Sequence, residues 1–400
     1  MLITKIRLEQ FRNYLDQQIE IGSGVNVFFG NNAQGKTNIL EAIYMCACAR
    51  SHRTSRDQEL IMREHDQYRV SIEYINDNGS RDELTIQYLD SVAGDPQRQR
   101  ASRLIFHNSM RVDRISDLMG LFHAVIFAPE DLMLVKEGPS TRRRYLDLLI
   151  SQIRPSYFRN LQQYQRQLTQ RNRLLKDIRD TGIKKSYDDP MMVQLDVWTS
   201  SLAQTAAALI EQRFIFSDRI AYFAAKSLDN ISSGKEKLNV KYKSISGISN
   251  KNSPKEISDI LYNKLKSIVY EDVARGSTNF GPHRDDLELW LNDEPLKPYA
   301  SQGQQRSVVL SLKIAELNII KEDINEYPVL LLDDVMSELD EKRRSCLLAN
   351  ITGAQVFVTC TEADHVVGEL EAACTYIPVE TARSYDFYQV EAGHVTRIID

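Results

Sequence analysis

The eight residues Gly30-Asn31-Asn32-Ala33-Gln34-Gly35-Lys36-Thr37 restrict this chain more than any other stretch. A glycine, four intervening residues and Gly-Lys-Thr form the pattern of a phosphate-binding loop, which is informative only between a strand and a helix. Both flanks qualify. Gly24-Val25-Asn26-Val27-Phe28-Phe29 is an apolar, β-branched run that reads as a buried strand. Thr37-Asn38-Ile39-Leu40-Glu41-Ala42-Ile43-Tyr44-Met45 places apolar residues at helical spacing. Gly30 and Gly35 can take backbone angles that present N–H groups to phosphate oxygens with no Cβ between. The helix start adds unpaired donors and a partial positive charge. On this reading Asn31, Asn32, Ala33, Gln34 and Asn38 surround the phosphates of a nucleoside triphosphate. Lys36 reaches the β- and γ-phosphates, and the Thr37 hydroxyl ligates Mg²⁺.

A chain of 400 residues has room for two or three domains around substantial cores. Its formal net charge of −5 and pI near 5.9 mean that any nucleic-acid contact must come from a local basic patch. Cys46, Cys48, Cys346, Cys360 and Cys374 are odd in number and lack paired CxxC spacing, so they read as core thiols of a reducing compartment. Met1-Leu2-Ile3-Thr4-Lys5-Ile6-Arg7-Leu8-Glu9 carries charges where a signal peptide needs an apolar core. No apolar run approaches the ~20 residues that span a bilayer, so a soluble, cytoplasmic protein without a membrane partner is expected.

Along the chain, Leu2, Thr4, Ile6 and Leu8 share one face of a first strand, Phe11-Arg12-Asn13-Tyr14 breaks it, and a second strand resumes over 17–21. These two strands are expected to open the nucleotide-binding sheet. Ser51-His52-Arg53-Thr54-Ser55-Arg56-Asp57 is polar and basic, with a second helical stretch expected after it. Asn78-Gly79-Ser80 reads as a hairpin turn, residues 94–100 as an exposed basic loop, and Ala124-Val125-Ile126-Phe127 as a short buried strand. Helical periodicity dominates from about 131 to 230, as in Leu146, Leu149, Ile150 and Ile153. Residues 229–256, rich in Ser, Lys, Asn and Gly, read as a mobile surface excursion containing a short strand at 238–242, and a helix over 254–271 follows. Strands at 287–291, 328–334 and 355–359 alternate with helices at 304–320 and 340–348. The expected organisation is an α/β fold with an N-terminal piece 1–130, a mainly helical arm 131–272 and a C-terminal piece 273–400.

Two further clusters carry chemistry. Pro328-Val329-Leu330-Leu331-Leu332-Asp333-Asp334 is a buried strand ending in two carboxylates. At the C-terminal end of a parallel strand beside the loop, Asp333 can hold Mg²⁺ through water and Asp334 can polarise the attacking water. Ser301-Gln302-Gly303-Gln304 opens the long helix. By local physics alone it is an ordinary capping box, with Ser301 as the cap and Gln304 as its third residue. The order along the chain argues for more: phosphate loop, Ser-x-Gly-Gln helix, Asp-ended strand, then Ser337-Glu338-Leu339-Asp340.

That order resembles the heads of ATP-binding-cassette ATPases, in the branch shared with chromosome-maintenance and double-strand-break-repair ATPases. The resemblance narrows to the RecF family of bacterial recombination mediators. It is carried by Leu8-Glu9-Gln10-Phe11-Arg12-Asn13-Tyr14, residues 30–42, Ala49-Arg50-Ser51-His52-Arg53-Thr54 and Pro129-Glu130-Asp131. It continues through Gly138-Pro139-Ser140-Thr141-Arg142-Arg143-Arg144-Tyr145-Leu146-Asp147, Gly281-Pro282-His283-Arg284-Asp285-Asp286 and residues 331–340, essentially end to end. The resemblance implies a P-loop ATPase head, a mixed sheet with helices assembled from both chain ends, plus an inserted α-helical arm. The head would dimerise on ATP. Ser301, Gln302, Gly303 and Gln304 would be the signature motif, with Ser301 and Gly303 closing over the γ-phosphate held by Lys36 of the other subunit. Residues from Ser337 to Asp340 would cross that interface. Implied partners are single- and double-stranded DNA, favouring duplex beside gaps, and mediators of the RecR and RecO type that help load the RecA recombinase.

The sequence also departs from cassette transporters. Gln302 stands where they carry glycine, Asp334 replaces their catalytic glutamate, and no histidine follows the 355–359 strand, so Thr359 or Thr361 would serve instead. These differences imply a weak DNA-dependent ATPase used as a switch. Pro129-Glu130-Asp131 occupies about the place of their glutamine loop. Candidate DNA contacts are Arg142, Arg143 and Arg144, with Arg98, Arg100 and Arg103 as a second cluster. Three consecutive arginines on a helix cannot all face one groove, so one or two are structural. Arg12 and Asn13 are placed to reach the nucleotide, whereas His52 and His283 read as hydrogen-bonded structural residues. A transporter cassette is disfavoured by the wide separation of the half-sites, and a chromosome-organising head by the missing long coiled coil.

Overall fold

The computed structural model describes residues 1–91, 100–181, 189–350, 353–362 and 384–398, with Ser337, Glu338, Glu341 and Asn350 described in backbone only. The chain forms two compact units: residues 1–132, 223–236 and 301–400, and residues 133–222 with 237–300.

In the first unit, strands β3 (Val25–Phe29), β8 (Ala124–Phe127), β12 (Val329–Asp333), β13 (Val356–Cys360), β14 (Tyr385–Glu391) and β15 (His394–Ile398) make one sheet. Its order is β15-β14-β3-β13-β12-β8, parallel throughout except for the β14–β15 hairpin. Strands covered on both faces need side chains that are apolar on both, and Val329, Leu330, Leu331 and Leu332 are each 0% exposed. A second sheet holds β1 (Leu2–Phe11), β2 (Tyr14–Glu20), β4 (Gln67–Ile75), β5 (Arg81–Leu89), β6 (Ser102–His107) and β7 (Met110–Arg111), all antiparallel in the order β2-β1-β4-β5-β6-β7.

The two opening strands therefore do not start the phosphate-loop sheet, as their position before β3 had implied. Their polar alternation suits a sheet wet on one face, and that is where they lie. The expected facing also shifts: an irregularity between Ile3 and Lys5 turns Ile3 into the core beside Ile6 and Leu8. No second helix follows Asp57; only a single 3₁₀ turn, Asp57–Leu60, forms. The backbone there is taken by the β1–β2 turn, with Arg12 N donating to Leu60 O (2.7 Å) and Met62 N to Gln10 O (2.8 Å). The hairpin about Gly79 forms as expected, with Ile75 opposite Arg81.

The second unit contains helices α2 (Pro139–Ile153), α3 (Pro155–Asp180), the first part of α4 (Pro190–Ser232), α5 (Pro254–Ser267) and α6 (Val269–Arg275). The first unit adds α1 (Lys36–Cys48), α7 (Gln302–Ile324) and α8 (Glu341–Asn350). A small sheet in the second unit, β11-β10-β9, is built from β9 (Leu238–Lys243), β10 (Asp286–Leu291) and β11 (Glu294–Pro295). The stretch expected to be a mobile excursion thus supplies a paired strand, with Tyr242 opposite Leu287. Residues 273–300, grouped by sequence with the C-terminal piece, lie in this second unit because β10 needs β9 as its partner.

Buried side chains join the two sheets of the first unit, Gln355 among them. Gln355 is 1% exposed; its Oε1 accepts from Ile3 N (2.7 Å), while Nε2 donates to Ile3 O (2.8 Å) and Gly22 O (2.7 Å). The amide acts as a strand mate for Ile3 at the irregularity in β1. Gln355→Leu keeps the volume but leaves the buried Ile3 N–H and C=O without this partner, while Gly22 O keeps Asn26 Nδ2 (3.0 Å); the loss should cost roughly 3 kcal/mol. Urea unfolding of the variant checks this through a lower midpoint at unchanged slope.

Candidate nucleotide site

The loop between β3 and α1 is held in shape from outside. Gly30 (φ 146°) and Gly35 (φ 117°) lie in the region that L side chains rarely adopt. A Cβ on Gly30 would sit 2.4 Å from Val390 O, and one on Gly35 would be 2.8 Å or less from the Asn13 amide and the Tyr14 hydroxyl. Tyr14 donates to Gly35 O (3.0 Å), Asn13 Nδ2 to Gln34 O (2.8 Å) and Asn38 Nδ2 to Asn13 Oδ1 (2.8 Å). From the β14–β15 turn, Ala392 N donates to Gln34 Oε1 (2.6 Å) and Gly393 N to Gln34 O (3.3 Å). Asn13 therefore braces the loop. The 392–393 turn gives no sequence signal, and Tyr14 is legible only within the break over residues 11–14, because their bracing role exists only once three distant segments meet.

Lys36 is 5% exposed, and its Nζ donates to Gly30 O (2.7 Å) and Asn31 O (2.9 Å). Asn31, Asn32 and Ala33 are exposed, and Ala33 also has positive φ. One helical residue further on, Thr37 Oγ1 donates to Asp333 Oδ1 (2.8 Å). Thr359 Oγ1, on the neighbouring strand, donates to the same oxygen (2.8 Å) and accepts from Asp334 N (2.9 Å). Burial raises the Asp333 carboxyl above its ordinary range, with the charges of Asp334 and Glu130 adding to this and the two threonine bonds opposing it. Asp334, half-buried with φ 51°, stands at the N-cap position of the short helix Val335–Glu338 without a side-chain capping bond.

The donor set fits a small hard cation. Thr37 and Asp333 offer oxygen ligands beside a lysine, the pairing through which Mg²⁺ is held while it keeps waters and phosphate oxygens. Among the described residues no group of three or more His, Cys, Asp or Glu could hold a metal by protein ligands alone. ATP-bound Mg²⁺ is the form this site suits.

Ser301, Gln302, Gly303 and Gln304 sit at the start of α7, with both halves of the capping box present: Gln304 N donates to Ser301 Oγ (3.3 Å) and Ser301 N to Gln304 Oε1 (2.9 Å). Their other hydrogen bonds among the described residues include those to Gln305, Ser307 and Arg343. Asp340 is exposed and accepts from Arg343; the side chain of Ser337 lies outside the described residues.

The Arg12 Nε and Nη2 clamp Glu41 (2.9 and 2.8 Å). Burial pushes Glu41 up, but Arg12 and Ser51 outweigh it and hold the carboxyl below its ordinary range. His52 departs from expectation: both ring nitrogens are buried with no hydrogen-bond partner, the ring lies edge-on to Tyr44, and burial lowers its pKa to about 4. His283 is hydrogen-bonded as expected, to Tyr164 Oη (2.6 Å) and Thr278 O (3.1 Å). Pro129–Leu132 forms a 3₁₀ turn directly after β8, with Asp131 Oδ2 accepting from Ala128 N (2.9 Å).

The arginine clusters are largely committed. Arg142 pairs with Asp286 through Nε (2.9 Å) and Nη2 (2.8 Å), and Arg143 donates to Asp285 O (2.7 Å). Arg144 is exposed. Arg103 binds Ala49 O and Asp57, Arg100 is exposed, and Arg98 lies outside the described residues.

The model of the family described as RecF/RecN/SMC N terminal domain matches residues 2–381. Fold and match together define a P-loop head of the SMC class. A relative in Ruminiclostridium cellulolyticum, named DNA replication and repair protein RecF, is 41% identical over 379 residues, 95% of this chain and 98% of the relative. Another of that name in Acetivibrio thermocellus is 40% identical over 385 residues, 96% and 100% of the two chains. A solved structure of the recombination mediator protein RecF-ATP in the RecFOR pathway matches with a TM-score of 0.86 at 33% identity, covering 100% of this chain and 98% of that one. The chain belongs to the RecF family. A Pyrococcus furiosus Smc head with an extended coiled coil shares the fold, with a TM-score of 0.52 at 15% identity over 99% and 96% of the chains.

The raised carboxyl has a consequence for stability. A carboxyl whose folded pKa exceeds its unfolded value costs stability once both states are ionised, and costs nothing at low pH where both are protonated. Asp333→Asn, which retains an acceptor for both threonines, should therefore melt a few degrees higher than the parent at pH 8 without nucleotide. The difference should vanish near pH 3 in paired thermal melts.

Proposed function

We propose that this chain is an ATP-dependent, DNA-binding switch of recombinational repair and replication, working in the cytoplasm. The observation that carries the reading is the Thr37–Asp333 hydrogen bond, which joins the phosphate loop to the acid-ended strand across 296 residues of sequence. In this proposal residues 30–38 hold the phosphates of ATP and Lys36 neutralises their charge. Thr37 and Asp333 hold Mg²⁺, which when bound screens the charge that develops on the phosphoryl oxygens. Asp334, next to Asp333 and half-buried, orients the attacking water.

Ser301 and Gly303 stand at a helix start, an anion-seeking position, and the bonds described for them run to Gln304, Gln305, Ser307 and Arg343. This supports a site completed by a second copy, with residues 301–304 closing over the γ-phosphate and residues 337–340 beside them. Weak hydrolysis then releases the dimer. Support for ATP and for RecR- and RecO-type partners comes from the solved RecF-ATP structure of the RecFOR pathway. DNA, single- or double-stranded and favoured at gaps where RecA must load, is the polymer on which the switch acts. Among the described residues no helix is long and apolar enough to cross a membrane.

Lys36→Met should lower ATP affinity at least tenfold and abolish ATP-induced dimerisation, read by light scattering. Ser301→Arg should leave nucleotide binding by the monomer intact yet block dimerisation and hydrolysis. Normal hydrolysis by Ser301→Arg would sink the trans site. For DNA, Arg144→Ala should flatten the salt dependence of binding by about one unit of log–log slope. Arg142→Ala should lower the melting temperature instead, because it removes the ion-pair partner of Asp286.

A further inference from the structure

Arg343 makes an arrangement that neither the loop nor the acid pair explains. Its guanidinium ties the first turns of α7 to the start of α8. Nη2 donates to Gly303 O (2.9 Å), Nε to Ser307 Oγ (2.9 Å) and Nη1 to Asp340 Oδ2 (2.5 Å). Its backbone N donates to Asp340 Oδ1 (2.9 Å), and Ser307 Oγ donates in turn to Gly303 O (3.1 Å). The Arg343 side chain is 19% exposed and that of Asp340 57% exposed. A Cβ on Gly303 would meet Nη2 at 3.4 Å, in van der Waals contact with the guanidinium.

A cation beside a helix N-terminus runs against the helix dipole, so its bonds to Gly303 O and Ser307 Oγ are made without help from that field. What it supplies is geometry. A planar fork with fixed donor directions sets the angle between two segments, which a flexible ammonium cannot do. The segments are the turn carrying Ser301 and the loop carrying Asp340.

We propose that Arg343 is a positioning residue that pre-assembles the trans half of the nucleotide site. It holds residues 301–304 and Asp340 in one register, so that a second subunit's bound ATP meets both at once. This rests on the two-subunit reading above. In this role Arg343 acts through Gly303, Ser307 and Asp340.

The test uses the full chain with Arg343→Ala and Arg343→Lys beside the parent, Ser301→Arg and Lys36→Met. A fluorescent ATP analogue reads binding by the monomer, light scattering reads the ATP-dependent dimer, and phosphate release reads hydrolysis. Both Arg343 variants should bind the analogue within twofold of the parent and weaken the dimer at least tenfold. Mixing Arg343→Ala with Lys36→Met should restore hydrolysis above either alone, because one composite site then has an intact loop and an intact turn. A merely structural defect would not be rescued in that way. If Arg343→Ala is poorly folded, Arg343→Lys carries the same comparison.

Parent-like dimerisation and hydrolysis by both Arg343 variants, with Ser301→Arg inactive, would overturn the role of Arg343 and leave the two-subunit site standing. Loss of analogue binding by the monomer, or no rescue on mixing, would also overturn it. Parent-like hydrolysis by Ser301→Arg would remove the two-subunit reading itself, and this inference with it.

Discussion

Three segments that are far apart in the chain converge on one carboxylate oxygen. Asp333 Oδ1 accepts from Thr37 and from Thr359, so the start of α1 and the ends of β12 and β13 are fixed to one point at the C-terminal edge of the parallel sheet. Burial makes that carboxylate costly, and two hydroxyl donors offset only part of the cost. A site that tolerates such a group in its resting arrangement is one in which a cation would relieve it. The same logic accounts for Lys36, buried and folded back on Gly30 O and Asn31 O: its charge is held by carbonyl dipoles at the place where phosphate charge would replace them.

The surrounding shell explains why the loop can be pre-shaped. Its glycines are required as much by neighbours as by dihedral angles, since Val390 O, Asn13 and Tyr14 occupy the space where side chains would be. Asn13 and Tyr14 come from the antiparallel sheet, and that sheet is fastened to the parallel one by Gln355. A phosphate loop in isolation would pay a conformational entropy cost on binding; here tertiary contacts have already met much of it.

The second unit has its own polar centre. Arg213, 2% exposed, donates to Asp147 (2.8 Å), Tyr157 Oη (2.9 Å) and Pro282 O (2.6 Å). Asp285 accepts from Tyr242 Oη (2.5 Å) and Ser244 Oγ (2.9 Å), and burial pushes its carboxyl up to about 6. The 281–286 segment, together with Arg142 and Arg143, thus serves as the joint of this unit. A run of arginines such as Arg142 and Arg143 reads the same in sequence whether its partners are phosphates or, as in this fold, the carboxylate and carbonyl of a distant turn.

The phosphate loop, its flanking strand and helix, the acid-ended strand and the cap at Ser301 are all legible in sequence. Each is a local pattern: apolar runs, helical spacing, glycine at a turn, Ser and Gln three apart. What the sequence left open concerns pairing. It could not show that β1 and β2 join a different sheet from β3, that β10 leaves the C-terminal piece to pair with β9, or that Asp57 begins a single turn. Nor could it reveal Gln355 as a strand mate, Tyr14 as a brace or Arg343 as a bridge. A backbone pattern is set by neighbours in the chain, whereas the partner of a buried polar side chain is set by which distant groups the packed core leaves unsatisfied. By itself the sequence determined that this chain carries a nucleotide loop and an acid to match it. Only the tertiary structure decided what holds them 2.8 Å apart, because that distance depends on strand order and on buried polar groups finding one another.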